Sequence, residues 1–273
     1  MKTRGIEPEG WNNEITELKK EDIDEYMQTK ETLQGLVKEC DEEYNLHINF
    51  QNGLKGIIPR KEIECINIEE DGLPRINLCT GKVHKFVQFK VKDKLDNNLI
   101  ILSRKDVQEE AKNWVKNELQ EGQIVTGIIK NIKPYGAFVE IGGGIVGLVH
   151  IEDISVARIK TPYERLKIGQ KLKIVVKSIN RDDARVILSY KEMLGTWEDN
   201  IKKFEIGMKV PGVIRETEKN KNGIFIELTP NLVGMAEYQE GYEYGQNVDV
   251  IIRKIDKDRK KVKLVIVQTD RSD

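Results

Sequence analysis

A repeat of about eighty residues recurs three times in the 273-residue chain and constrains its fold more than any other feature. In each copy a β-branched run containing a glycine leads through a polar turn into a strand of alternating apolar and polar residues. A second strand then opens on another glycine, and a long strand and a short strand complete the unit. The first glycines are Gly35, Gly127 and Gly212, and the second are Gly56, Gly147 and Gly234.

Several short strands separated by turn residues are typical of an antiparallel barrel or sandwich. A unit of about seventy residues is too short for a two-sheet sandwich of about one hundred residues, but it suits a five-stranded barrel. We therefore expect a mainly β chain of three tandem five-stranded barrels. The expected units are residues 30–105, 121–192 and 205–269, with an acidic segment at 1–29 and helical linkers at 106–120 and 193–204.

The period-two pattern of the second strand predicts which side chains face outward. In the middle repeat Phe138 and Glu140 share one face, and Val139 and Ile141 share the other. A ring next to a glutamate on one face indicates a solvent-facing surface with an aromatic on it. The same outward position carries a ring in every repeat, namely His47, Phe138 and Phe225.

The segments between the repeats have helical spacing of apolar residues. We expect Trp114 and Trp197 in these linkers to pack on an adjacent barrel. The opening segment, which places Trp11 among acidic residues, is compatible with a helix or with partial disorder.

The charge of the chain is distributed unevenly, although its net value is only −1. Residues 121–192 hold 12 Lys and Arg against 8 Asp and Glu, a net charge of +4, so a phosphate backbone would find its best field there. No apolar run approaches the roughly 18 residues that span a bilayer, and the first residues lack the apolar core of a signal peptide. We expect a cytoplasmic protein without a membrane partner. The three cysteines show no C-x-x-C spacing, which favours free thiols over a disulfide framework or a zinc site.

The middle repeat contains YGAFVEIGGGIVGLVHIEDIS, followed by KIGQKLKIVVKSIN and RVILS. This segment resembles the S1 RNA-binding domain, a subclass of the oligonucleotide-binding (OB) fold, over residues 121–192. The other two repeats match in spacing but are degenerate in the motif. Tandem S1-type units joined by Trp-containing segments are similar to the bacterial ribosomal protein family that gave the domain its name, or to a shorter relative. The resemblance implies three OB barrels, single-stranded RNA or mRNA as partner, and a connection to the small ribosomal subunit.

OB barrels hold single strands by stacking bases on exposed rings inside a basic groove. The resemblance assigns RNA-facing aromatics to Tyr135 and Phe138. On a regular strand these two would face opposite ways, so Gly136 is expected to mark a bulge or the start of the strand. The resemblance also assigns RNA contacts to His150 and Arg185.

Two further features of the middle repeat are less specific. Asn180 stands where the family has an aspartate, which leaves an amide for a polar base contact. The fourth strand carries three lysines on one face, which add positive potential to the binding surface or form an ordinary solvated face: Lys171, Lys173 and Lys177. His150 taken alone would be a structural histidine, but the flanking G-L-V-H-I motif favours RNA contact.

The outer repeats depart from the family pattern. The third keeps Phe225 and places Lys261 at the arginine position, but Asn222 replaces the first ring and Glu237 replaces the histidine, so we expect auxiliary RNA contact. The first has rings at both aromatic positions, Tyr44 and His47, but it lacks the histidine and the arginine. It is expected to contact RNA through these rings or to dock on protein.

These features predict a non-catalytic RNA-binding protein acting in translation or mRNA handling, with the middle barrel as its main site. An enzyme in its own right is not expected, because no nucleotide-binding loop, metal cluster or nucleophile–base pair is present in the sequence. The same features predict no cofactor and no small-molecule substrate. The alternative is a ribosome- or nuclease-associated scaffold that uses its barrels for protein contacts.

Overall fold

The computed structural model describes residues 6–50, 53–66, 68–95, 98–218 and 223–267, and these form three closed five-stranded barrels. Barrel 1 consists of β1 (Leu33–Cys40), β2 (Leu46–Asn49), β3 (Lys55–Ile58), β4 (Phe86–Leu95) and β5 (Leu99–Ser103). Barrel 2 consists of β6 (Ile124–Lys133), β7 (Gly136–Gly142), β8 (Ile145–His150), β9 (Lys171–Asn180) and β10 (Arg185–Ser189). Barrel 3 consists of β11 (Lys209–Glu218), β12 (Gly223–Thr229), β13 (Leu232–Glu237), β14 (Asn247–Asp256) and β15 (Lys261–Val267).

The three barrels share one topology, which confirms the predicted fold. The first three strands form an antiparallel meander, the fourth pairs with the first and the fifth, and the third and fifth strands pair in parallel. In each barrel the first strand has a β-bulge at a basic residue. This residue is Lys38 in barrel 1, Lys130 in barrel 2 and Arg215 in barrel 3.

The repeated glycine at the third strand is required by packing against the fifth strand. A Cβ added to Gly147 would lie 2.6 Å from Leu188 Cδ1, and additions at Gly56 and Gly234 would lie 2.5 Å from Leu102 and Leu264. Such distances are far inside van der Waals contact, so only glycine lets these leucines fill the barrel.

The described helices are short, and two of them lie between successive barrels. They are α1 (Ile23–Thr29), α2 (Ile76–Thr80), α3 (Lys105–Asn117) and α4 (Trp197–Ile201), and 3-10 turns span Lys20–Asp22, Arg60–Glu62, Ile151–Asp153, Pro162–Glu164 and Lys191–Leu194. In α3 the apolar face buries Trp114 in the core of barrel 2, and Trp197 of α4 packs against the core of barrel 3. Both tryptophans therefore pack as predicted.

The opening segment forms only one α-helix within its described part, α1, preceded by a 3-10 turn. Residues 6–19 have no helix and lie between barrels 1 and 2. Leu18 is buried in the core of barrel 1, whereas Ile6 packs against the core of barrel 2. Residues 1–5 lie outside the described part of the chain.

A buried ionic cluster joins this segment to both barrels. Arg104, at the end of β5, donates to Glu9 at 2.6 Å and to Glu64 at 2.8 Å. The Glu9 amide donates to Glu140 at 2.8 Å, and Lys130 pairs with Glu140 at 2.6 Å. Glu140 therefore points outward from barrel 2 as predicted, but it is buried at a contact between barrels.

The pKa values in this cluster move in opposite directions. Burial raises the pKa of Glu9, but the Arg104 guanidinium outweighs this effect and holds it at about 2. Burial and the nearby Glu9 carboxylate raise the pKa of Glu140. Glu9 therefore stays ionised at neutral pH, whereas burial disfavours the charged form of Glu140.

Barrel 3 docks on barrel 2 through a similar pair. Arg215, the bulge cation of β11, donates to Glu227 of β12 at 2.5 Å and to Glu164 of barrel 2 at 2.5 Å. Arg165 of barrel 2 also donates to Glu227 at 2.5 Å. Glu227 thus repeats the role of Glu140, so the outward glutamate of the repeat serves to join barrels.

Candidate nucleic-acid interface

Tyr135 and Phe138 lie side by side on the surface of barrel 2. Their ring centroids are 6.2 Å apart at an interplanar angle of 84°, an edge-to-face contact. β7 begins at Gly136, so Tyr135 precedes the regular alternation and can share a surface with Phe138. A Cβ on Gly136 would lie 2.3 Å from the Val149 carbonyl oxygen, which explains why glycine stands there. The expected arrangement of the two rings is present.

Phe138 continues into an apolar strip that crosses three strands. It pairs with Leu148 of β8, and Leu148 pairs with Ile187 of β10. All three side chains are half-buried, so their outer surface remains open. We call Phe138, Leu148 and Ile187 the platform. Leu148 and Ile187 were not identified as site residues from the sequence.

His150 and Arg185 lie on opposite sides of the platform along the strand direction. His150 follows Leu148 by two residues, and Arg185 precedes Ile187 by two on the parallel neighbouring strand. Four residues of strand separate them, which corresponds to about 13 Å. The side chains are 46% and 79% exposed. A ring and a cation therefore flank the platform with space for bases between them.

His150 and Arg185 make only weak contacts with other described residues. The Glu152 amide donates to His150 Nδ1 at 3.5 Å, and the Arg185 guanidinium lies 3.8 Å from Asp183. Both side chains remain able to contact a ligand.

The three lysines of β9 have different surroundings. Lys177 donates to Asp153 at 2.7 Å, and Lys171 donates to the Trp11 carbonyl at 2.5 Å. Lys173 is exposed and makes no ion pair with any residue that the structure describes. Lys177 is thus held in an internal ion pair, and Lys173 is the lysine of the three that is open to a ligand.

Asp153 is nearly buried beneath the end of β8, and burial raises its pKa. Hydrogen bonds from Lys177 and Lys191 outweigh that effect and hold the pKa below its usual value. This pairing fixes the turn that follows His150.

Asn180 shapes the turn between β9 and β10. Its side-chain oxygen accepts from the amides of Asp182 and Asp183 at 3.1 and 3.3 Å. The oxygen of the amide that was expected to contact a base is therefore engaged in the turn, where Arg185 pairs with Asn180 across the two strands.

Barrel 3 carries a version of the same platform. Phe225 pairs with Met235, and Met235 pairs with Lys263 of β15. Lys261 is exposed at the start of β15, and Glu237 is exposed at the end of β13. Lys263 was not identified from the sequence, and Asn222 lies outside the described residues.

In barrel 1 both predicted rings have local partners. The Arg60 guanidinium lies 5.3 Å from the centroid of the Tyr44 ring, and His47 Nε2 lies 2.8 Å from Asp41. Burial raises the pKa of Asp41, but hydrogen bonds from His47 and Asn45 lower it to about 2. The rings of barrel 1 are less free to stack than those of barrel 2.

The platform of barrel 2 opens into a cleft of about 1370 Å³ between barrels 1 and 2. Among the described residues that line the cleft, seven are Lys or Arg and four are Asp or Glu, a net charge of +3 with histidine neutral. The sequence could not show this cleft, because it depends on how the two barrels dock.

No group of three or more His, Cys, Asp or Glu side chains in the described ranges could hold a metal ion. None of the described helices is long and apolar enough to cross a membrane.

Comparison with known proteins shows which family and which relatives the chain resembles. Residues 118–191 match the family model of the S1 RNA-binding domain. The small ribosomal subunit protein bS1 of Rhizobium meliloti is 33% identical over 215 residues, which cover 71% of this chain and 37% of that protein. The bS1 protein of Staphylococcus aureus is 34% identical over 195 residues, 69% of this chain and 47% of that protein.

Other matches are to proteins of different kinds. A 4-hydroxy-3-methylbut-2-enyl diphosphate reductase of Clostridium acetobutylicum is 30% identical over 236 residues, 83% of this chain and 35% of that protein. The solution structure of GSP13 from Bacillus subtilis is 26% identical, covers 28% of this chain and 58% of that chain, and has a TM-score of 0.27.

The chain spans less than half the length of the three curated relatives named above. The family match falls on the barrel that carries Tyr135, Phe138, His150 and Arg185. Barrel 2 therefore belongs to the S1 RNA-binding domain family, and about 70% of the chain is similar to small ribosomal subunit proteins bS1.

Proposed function

We propose that the chain is a non-catalytic protein that binds single-stranded RNA, with its main site on the platform of barrel 2. The observation that carries the proposal is the edge-to-face pair of Tyr135 and Phe138 beside two half-buried apolar side chains. Such a surface accepts the flat face of any base, and stacking contributes about 1–3 kcal/mol per base.

The charged groups around the platform suit a sugar-phosphate backbone. Arg185 is an exposed cation on the strand next to Leu148, and His150 can stack or donate a hydrogen bond. Because stacking tolerates every base, we expect little preference for RNA sequence. Because cations contact the phosphates, we expect the affinity to fall as salt rises.

The similarity to bS1 proteins supports a role in translation or mRNA handling and a link to the small ribosomal subunit. The similarity to a reductase covers about a third of that enzyme, so we do not infer a catalytic role for this chain from it. Barrels 1 and 3 act as auxiliary or docking units in this proposal, since their rings are engaged or lie beside acidic residues.

The alternative is a scaffold in which the barrels contact protein rather than RNA. It is favoured for barrel 1 by the local partners of Tyr44 and His47. The open rings of barrel 2 favour RNA there.

The test is binding of an unstructured RNA of about 15 nucleotides to the full chain, followed by fluorescence anisotropy. The variant Phe138→Ala/His150→Ala should weaken binding about ten-fold or more. Tyr163→Ala, which removes another exposed ring from barrel 2, is the matched control and should leave binding unchanged. Equal affinity of the double variant and the wild type would refute the site, and no binding at low salt would favour the scaffold.

A further inference from the structure

The side of the cleft opposite the platform is built by barrel 1. The segment from α2 to the start of β4 and one residue of α3 line it, and we call three of these residues the barrel 1 wall: His84, Lys85 and Lys112. They lie in the same cleft as Phe138 and Arg185. A strand held on barrel 2 would therefore face barrel 1.

The backbone of the wall is fixed. His84 has a left-handed conformation with φ of 60°, and its amide donates to the Val37 carbonyl at 2.9 Å. The Val37 amide donates in turn to the Lys85 carbonyl at 3.0 Å. These two hydrogen bonds tie the turn to β1 and keep it in one conformation, with the His84 and Lys85 side chains exposed.

Most of the acidic residues in the cleft are already neutralised. Glu9 and Glu64 pair with Arg104, Lys82 adds a second cation to Glu64, and Glu140 pairs with Lys130. The fourth acid, Asp183, lies 3.8 Å from Arg185 and is half exposed. By contrast Lys85 and Lys112 have no ion pair with any described residue. The excess charge of the cleft therefore lies on groups that are free to meet an anion.

The two walls are held at a fixed separation. Arg104, Glu9 and Glu140 connect the barrels through buried hydrogen bonds, and the Gly142–Gly144 turn of barrel 2 packs against Ala111 and Arg104. A preformed groove of this kind binds without the cost of ordering two domains.

We propose that barrels 1 and 2 form one composite groove for single-stranded RNA, in which bases stack on the platform and phosphates meet Lys85, Lys112 and His84 of the barrel 1 wall. The proposal rests on the proposed function of barrel 2 and extends it to barrel 1. It assigns a role in RNA contact to a face of barrel 1 distinct from Tyr44 and His47.

The test is the salt dependence of RNA binding by the full chain. Each phosphate contact on a single strand contributes about 0.7 to the slope of log affinity against log salt, so Lys85→Ala/Lys112→Ala should lower the slope by about 1.4. The affinity deficit of this variant should then shrink roughly seven-fold between about 50 and 200 mM salt. The matched control is Lys20→Ala/Lys203→Ala, which removes the same charge from exposed lysines outside the cleft and should leave the slope near that of the wild type.

Two outcomes separate the composite groove from the function on which it rests. If Phe138→Ala weakens binding while Lys85→Ala/Lys112→Ala behaves like its control, the composite groove is refuted and the site on barrel 2 stands. If neither variant changes binding, both proposals fall. Unchanged circular dichroism and an unchanged melting temperature of the lysine variant would show that its loss of affinity is not caused by a loss of fold. His84→Ala alters the same wall without removing a lysine, and it should also weaken RNA binding.

Discussion

Glu9 holds the segment 6–19 between barrels 1 and 2, and removing its charge should loosen that contact. Its carboxylate accepts from Arg104 Nε and Nη2 at 2.6 and 3.0 Å and from the Gln88 amide at 3.1 Å. Glu9→Gln keeps the shape of the side chain but removes the charge, leaving Glu64 as the remaining carboxylate partner of Arg104.

The expected magnitude follows from the pKa of Glu9. Lowering the pKa of a buried carboxyl from 4.5 to about 2 corresponds to about 3 kcal/mol of stability. Because the folded pKa lies below the unfolded one, this stability is fully present above the unfolded pKa of 4.5 and is lost as pH falls toward 2. Glu9→Gln should therefore destabilise the protein by about 2–3 kcal/mol at neutral pH and much less near pH 2.

The assay is urea unfolding by circular dichroism, together with hydrogen exchange of the Gln88 amide as a local readout. Glu7→Gln is the matched control, since Glu7 is exposed and lies on the same segment. Glu9→Gln should shift the unfolding midpoint and speed exchange at Gln88, whereas the control should do neither. A Glu9→Gln midpoint within error of the wild type at neutral pH, with Gln88 still protected, would refute this account of the segment.

Three further predictions concern packing, a buried carboxylate that pairs with two lysines, and the third barrel. Gly147→Ala places a Cβ 2.6 Å from Leu188 and should cost about 1–3 kcal/mol in thermal unfolding, with partial recovery in Gly147→Ala/Leu188→Val; no recovery would argue against the clash. Asp153→Asn should destabilise by about 1.5–3 kcal/mol at neutral pH, since it removes charged hydrogen bonds to two lysines. The wild type should lose this difference as pH falls below about 3.9, because the folded pKa of Asp153 is lowered; a difference that persists in acid would contradict the assignment. Phe225→Ala should weaken RNA binding less than Phe138→Ala in the same anisotropy assay, and an equal or larger effect would make barrel 3 a principal site.

Much of the fold was accessible from the sequence because the repeat has strong local patterns. Alternation placed Val139 inside and Phe138 outside, and helical spacing placed Trp114 on a buried face. Gly136 marked the start of β7, which brings Tyr135 next to Phe138. Each of these inferences depends on residues close together in the chain.

The remaining features depend on how distant segments meet. Glu140 and Glu227 have the pattern of solvent-facing residues, but they are buried because neighbouring barrels or the segment 6–19 cover them. Lys177 has the pattern of a free surface lysine, but Asp153 lies beside it from another part of the barrel. His84 and Lys85 carry no motif, and their place in the cleft follows only from the docking of barrel 1 on barrel 2.

Photocrosslinking of a thiouridine-containing RNA to the full chain, with the crosslinked residues identified by mass spectrometry, tests the central claim most directly. We expect crosslinks at Tyr135 and Phe138, the two rings of the barrel 2 surface. Crosslinks confined to barrel 1 or barrel 3, with none on barrel 2, would contradict the assignment of barrel 2 as the main RNA site.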